Sequence, residues 1–309
     1  MLQILGITGP IFILIGIGYL SARGGLVNPI QVQGLGKFVI TFALPALVIH
    51  ALLEKPLGEV FDPLYLLAYG IGSQLVFWGG FLFSRLVRRD SLSGSALAAL
   101  GMSVSNSGFI GYPIVAMVLG PPAAVALALG MLVENLLMIP LALAIAELGR
   151  QNGSGARAAL QETFSRLVRN PVIISISIGL ALALLDLKLP GVLAKVIEML
   201  SSASAPVALF VIGASLVGLR AGGLLKDVAQ LSLGKLLLHP LAVLLCFQLL
   251  PPVDPALKVA GVLFASAPMM SIYPILGQRF GLEGRCAAAL VVCTVLAFAS
   301  VSLFIGVMR

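Results

Sequence analysis

The sequence predicts an all-α polytopic membrane protein of ten transmembrane helices, arranged as two inverted five-helix repeats with the fourth and ninth helices broken. Three observations lead there. The 309 residues are 60% hydrophobic and only 10% charged, with a mean hydropathy of +1.11, too little polar surface to coat a water-soluble globule of that length. Pro10, Pro29, Pro45 and Pro113 each have a proline partner 161 residues later, at Pro171, Pro190, Pro206 and Pro274, and matches in register without a gap mark an internal repeat. The third is a cluster of serines, asparagine, glycine and proline in the middle of two apolar stretches that the same offset relates.

A helix needs ~20 apolar residues to cross the hydrocarbon core. Reading along the chain gives stretches at 3–20, 34–53, 63–84, 94–119, 122–147, 168–186, 193–218, 227–250, 256–280 and 284–308. The first has no Lys or Arg before Arg23, so it lacks the basic start of a cleaved signal peptide and is read as a true span. Gly18 pairs with Gly179, Ser105 with Ser266 and Gly120 with Gly281 at the repeat offset, and Tyr112-Pro113-Ile114 returns as Tyr273-Pro274-Ile275. The domains are therefore 1–148, a first five-helix repeat; 149–167, a linker carrying Gly153-Ser154-Gly155 among alternating charges; and 168–309, a second repeat. Five spans per copy is an odd number, so the second copy enters the membrane inverted, as in secondary transporters whose site lies where the copies meet.

Charge sets the orientation. In alternate loops Arg23, Lys37, Arg85, Arg88, Arg89, Arg150, Arg157, Arg166, Arg169, Arg220, Lys226, Arg279 and Arg285 fall on one side, thirteen in all, against five on the other: Lys55, Lys188, Lys195, Lys258 and Arg309. The positive-inside rule puts the thirteen in the cytoplasm and both termini outside. The net charge of +7 is accounted for by this topology, so no nucleic-acid partner is expected; the lipid bilayer is. Cys246, Cys286 and Cys293 lie in apolar spans without metal-ligand spacing and read as packing residues. No cofactor or metal is expected. The Asn152-Gly153-Ser154 sequon falls in the cytoplasmic linker and is discarded.

Spans four and nine carry the chemistry. Span four runs Gly101-Met102-Ser103-Val104-Ser105-Asn106-Ser107-Gly108-Phe109-Ile110-Gly111-Tyr112-Pro113, and span nine answers with Ser266-Ala267-Pro268-Met269-Met270-Ser271-Ile272-Tyr273-Pro274. Proline removes a backbone donor and costs ~3 kcal/mol inside a helix, so both helices are expected to break. Unwound backbone at membrane depth is tolerated where it is buried in protein or lines a wet cavity. Half-helix N-termini suit an anion and C-terminal carbonyls a cation. Simple proline kinks with serines bonding back to their own helix are the alternative.

Asn106-Ser107-Gly108-Phe109-Ile110-Gly111-Tyr112-Pro113 resembles the Asn-x-x-x-x-Gly-x-Pro crossover of the auxin efflux carrier family, which includes plant auxin exporters and bacterial malonate or malate carriers. Pro268 and Pro274 resemble the second crossover. Phe42-Ala43-Leu44-Pro45-Ala46-Leu47, Asn170-Pro171 and Ala205-Pro206-Val207-Ala208-Leu209-Phe210 through Gly213-Ala214-Ser215-Leu216 extend the resemblance over nearly the whole chain. The long cytoplasmic loop of the plant members is absent, which fits the short bacterial members and an inner-membrane location. The resemblance implies a fold like that of sodium/bile-acid symporters, with scaffold helices 1, 2, 6 and 7, transport-domain helices 3–5 and 8–10, an elevator or rocking movement, and a homodimer through the scaffold. It also implies that Asn106, Pro113 and Pro274 lie near the substrate.

Intramembrane charges are functional candidates by default. Glu134, beside Asn135 in span five, is read as a site for H⁺ or Na⁺ coupling, or else as a protonated structural glutamate. Lys235 and His239 are four apart in span eight and share a helix face; the offset maps them onto Gln74 and Trp78. Lys235 is read as a counter-charge for a carboxylate, or else as a residue snorkelling to the interface, and His239 as structural. His50 lies close to the outer end of span two. The expected substrate-binding set is Ser105, Asn106, Ser107, Tyr112, Pro113, Ser266, Ser271, Tyr273, Pro274, Lys235 and Gln74. The expected function is secondary active or facilitative transport of a small organic anion, a carboxylate such as malonate, malate or an auxin-like acid. A channel or receptor on the same fold is the alternative. An intramembrane enzyme comes last, because the sequence has no Gly-x-x-x-x-Gly-Lys-Ser/Thr, His-Glu-x-x-His or Gly-x-Ser-x-Gly stretch.

Overall fold

Prolines open five of the helices, where a missing N–H costs nothing because the first turn has no partner for it. In the computed structural model, residues 2–53, 62–149, 165, 168–185, 187, 189–218 and 225–308 are described, and their regular structure is helical. The helices are α1 (Leu2–Arg23), α2 (Pro29–Leu53), α3 (Pro63–Val87), α4 (Leu92–Ser103), α5 (Ser107–Leu119) and α6 (Pro122–Leu148), followed by α7 (Pro171–Leu184), α8 (Gly191–Ser215), α9 (Lys226–Leu249), α10 (Pro255–Ser266), α11 (Tyr273–Gln278) and α12 (Glu283–Met308). Asn28 caps α2 in a reciprocal box with Gln31, and Asn170 and Asp254 cap α7 and α10. Among the described residues, α2, α3, α6, α8, α9 and α12 are each long and apolar enough to cross a membrane. The charges Lys55, Arg150, Arg157, Arg166, Lys188, Arg220 and Arg309, the linker glycines and the Asn152 sequon lie outside the described residues.

Four of these helices contain a widened π-turn that ends two residues before a proline: Val39–Ala43 before Pro45, Ser107–Gly111 before Pro113, Val133–Met138 before Pro140, and Gly234–Leu238 before Pro240. The amide just ahead of the proline bonds five residues back, Leu44 to Val39, Ile139 to Glu134 and His239 to Gly234. Widening the turn lets the chain pass a residue that has no N–H and whose ring would strike the carbonyl four residues earlier. Around Pro240 that carbonyl belongs to Leu236, and the Ser300 hydroxyl donates to it at 2.5 Å.

The chain divides into two compact units that alternate along the sequence: Met1–Pro63 with Gly108–Leu129 and Val168–Gly218, and Leu64–Ser107 with Gly130–Leu167 and Leu219–Arg309. In the first unit α1 packs on α8 backbone to backbone. A methyl group on Gly18 would strike the Phe210 carbonyl, and one on Gly213 the Ile15 carbonyl, the small-residue contact typical of helices in lipid. Gly179 of α7 is covered by Leu52 of α2.

In the second unit Tyr65 and Tyr69 stack at 5.9 Å, and Tyr65 meets Phe247 at 5.5 Å. At one end Arg285 binds Asp90 at 2.9 Å and approaches Asp227 at 3.6 Å, with Arg88 also on Asp227. Thus the turn after α3 and the first turns of α9 and α12 contribute to a single ion-pair cluster. The three thiols, Cys246, Cys286 and Cys293, are buried and free.

Two glycines 161 residues apart share a backbone conformation. Gly120, after α5, has φ 67°, and Gly281, after α11, has φ 71°, a left-handed conformation that glycine adopts without strain.

Candidate functional site

Both polar clusters interrupt helix. In span four α4 stops at Ser103, Val104 to Asn106 run extended, and α5 resumes at Ser107; in span nine α10 stops at Ser266 and α11 starts at Tyr273. Pro113 and Pro274 are not at the breaks themselves. Pro113 follows the π-turn of α5, and Pro274 is the second residue of α11.

Within the second unit the two extended pieces run antiparallel past each other, Ser105 bridging Met269. The Asn106 amide donates to the Pro268 carbonyl at 2.7 Å, and the Asn106 side-chain amide donates to the Ser271 hydroxyl at 2.6 Å. Ser105, Asn106 and Ser107 are all buried, as is Ser266, whose hydroxyl bonds back to Leu263 within its own helix. The breaks leave donors and acceptors that a helix would have paired, and Asn106 finds acceptors on the second break with both its backbone and its side chain.

Glu134 ties the first break. Its Oε1 accepts from the Ser105 amide at 3.2 Å, the Ser107 hydroxyl at 2.8 Å and the Tyr69 hydroxyl at 3.0 Å, with only 3% of the residue exposed. A carboxylate at the N-terminus of α5 complements the partial positive charge there. Lys235 holds the other end. Its Nζ donates to the Ala265 carbonyl in the last turn of α10 at 2.6 Å and lies 2.9 Å from His239 Nδ1, fully buried. A cation at a helix C-terminus is again the favoured sign. Both half-helix ends therefore have beside them a side chain that, when ionised, bears the sign expected of a bound ion. The snorkelling alternative for Lys235 does not describe its position.

The remaining expected residues lie elsewhere. Asn135 turns its amide to the Met131 carbonyl at 2.9 Å. Gln74 reaches the Met138 sulfur at 3.3 Å and, with Trp78, lines a recess of about 470 Å³. Tyr273 is buried and donates to the Leu97 carbonyl at 2.9 Å, so its hydroxyl holds α11 against α4. Tyr112 and Pro113 belong to the first unit, where they line a cavity of about 520 Å³ together with His50, Ser201 and Ser202. Sequence reasoning passed over Tyr69 and Ser73. Their spacing of four on α3 puts both on one face, Tyr69 toward Glu134 and Ser73 toward His239. Among the described residues no group of three or more His, Cys, Asp or Glu could hold a metal.

Residues 8–305 match the family described as membrane transport protein. The chain is 30% identical over 306 residues to the protein of Rhizobium meliloti (strain 1021) named "Putative malonate transporter", covering 98% of this chain and 95% of that one. It is 24% identical over 299 residues to the "Uncharacterized transporter YfdV" of Escherichia coli (strain K12), covering 94% and 92%. It is 28% identical over 212 residues to the "Lysosomal cholesterol signaling protein" of Mus musculus, covering 65% of this chain and 24% of that one.

Proposed function

The chain belongs to the membrane transport protein family, that of the auxin efflux carriers, and from that premise we propose that it carries a small dicarboxylate, malonate first, across the bacterial inner membrane. The observation that carries the proposal is the meeting of two repeat-matched helix breaks at Asn106, with Glu134 and Lys235 buried at their ends. Malonate is chosen because a full-length relative bears that name.

In this reading the ten spans form two inverted five-helix repeats, and spans 3–5 and 8–10 move against a scaffold of spans 1, 2, 6 and 7. The matched φ of Gly120 and Gly281 supports the repeat, and the grouping of spans 1, 2, 6 and 7 in one compact unit and of spans 3 and 8–10 in the other supports the division, although Gly108–Leu129 of spans four and five groups with the first unit. The substrate is met by Asn106 and Ser271, with Ser105, Ser107, Ser266 and Pro274 beside them and Lys235 as counter-charge. Coupling is to H⁺ through Glu134. Glu134 is a buried carboxyl within an apolar span, a group that can take up and release a proton during transport. The protein works as a homodimer through the scaffold, with both termini outside.

Uptake of radiolabelled malonate, malate and indole-3-acetate into proteoliposomes, under imposed pH or Na⁺ gradients, tests this, with Asn106→Ala as control. Saturable, pH-driven uptake lost in the variant is the expected result; no uptake of any of the three removes the substrate assignment. The similarity to a signalling protein favours a second reading, a receptor on the same fold, for which ligand binding without counterflow is the distinguishing result.

A further inference from the structure

The transport reading gives no role to His239, which sits between two polar partners, Lys235 and Ser73. Its Nδ1 is 2.9 Å from Lys235 Nζ, its Nε2 is 2.9 Å from Ser73 Oγ, and the imidazole is fully buried on the same helix as Lys235, one turn along. Tyr69, whose hydroxyl is on Glu134, stands edge-on to the ring at 5.9 Å. The protonation pattern follows from the donors. At the C-terminal carbonyls of α10, where the helix dipole favours a cation, Lys235 is taken as the ammonium, which donates and cannot accept. Nδ1 must then be the acceptor. In a neutral ring the proton is on Nε2, where it donates to Ser73.

We propose that His239 is a positioning residue for Lys235, locked by Ser73 as the neutral Nε2–H tautomer so that Nδ1 holds the ammonium in place. An ammonium has three hydrogens. The Ala265 carbonyl and His239 Nδ1 take two, and the third is left for an anion. A doubly protonated ring would face the ammonium with a second positive charge 2.9 Å away and would release it. The inference rests on the carboxylate-carrier reading for its consequence, though not for its geometry.

The chain has two histidines, so ¹⁵N-histidine labelling of the protein in lipid bilayers yields two imidazoles, and the His239→Gln spectrum identifies which signals are His239. A protonated Nε2 with an unprotonated, hydrogen-bonded Nδ1 is expected, unchanged from pH 5 to 8, and Ser73→Ala should mix the tautomers. An Nδ1–H tautomer or an imidazolium overturns the proposal. In transport, His239→Leu and Lys235→Gln should each raise KM for malonate about tenfold with maximal rate kept, and the double variant should be no worse than Lys235→Gln alone. His239→Gln, whose side-chain carbonyl can accept from Nζ, should recover much of the affinity. Unchanged KM in His239→Leu overturns the positioning role. If the wild type moves no carboxylate, the functional reading fails and the tautomer spectrum alone decides the arrangement.

Discussion

At the residue scale, one carboxylate and one amide hold the first break. Glu134 replaces the partners that Ser105 and Ser107 lose when the helix unwinds, and hydrogen bonds to a charged group contribute ~1.5–3 kcal/mol each. Glu134→Gln keeps an oxygen to accept from Tyr69 and Ser107 but removes the exchangeable charge. The protein should fold with a slightly lower Tm, while malonate uptake should stop responding to an imposed pH gradient; a retained response would put coupling elsewhere. Asn106→Ala cuts the side-chain bond to Ser271 but not the backbone bond to Pro268. Uptake should fall at least tenfold with an unchanged elution profile in detergent. Glu134 was visible in the sequence because a charge in an apolar stretch is expensive. Its partner Tyr69 was not, since 65 residues separate them and only the folded packing of α3 on α6 brings them together.

At the scale of elements, hydropathy marked the apolar stretches to within a few residues, whereas the way the helices pass their prolines was not legible. A proline in a span reads as a kink or a break, yet at Pro45, Pro140 and Pro240 the helix continues through a widened turn. Whether a helix can do so depends on what satisfies the freed carbonyl, and for Leu236 that is Ser300, 64 residues away. Ser300→Ala should leave this buried carbonyl unpartnered, at a cost of about 1–3 kcal/mol, measured as a lower Tm; an unchanged Tm would mean that another donor takes its place. Helix contacts have their own limit. Gly213 lies against the Ile15 backbone with no room for a Cβ, so Gly213→Val should force α1 and α8 apart and destabilise by roughly 1–3 kcal/mol, seen as early thermal unfolding. The glycine pattern was readable as a repeat, since Gly18 and Gly179 match, but the partner helices were not.

At the scale of the whole molecule, orientation is set by where charge can be left outside the hydrocarbon. Thirteen Lys and Arg on one side against five on the other is a strong asymmetry for loops this short. Arg88, Asp90, Asp227 and Arg285, from a turn and two helix starts at ends assigned to the richer side, meet in one cluster, as ends on a common side must be able to do. The exposed Lys195 near the start of α8 belongs to the poorer side. In a background without the three buried cysteines, Lys195→Cys should react with a membrane-impermeant maleimide added to intact cells. Arg89→Cys should react only after the membrane is opened. The reverse pattern would invert the topology and turn the thirteen charges outward, against the rule that placed them; labelling of both sites in intact cells would mean that the loops do not alternate sides and that the five-span repeat has been miscounted.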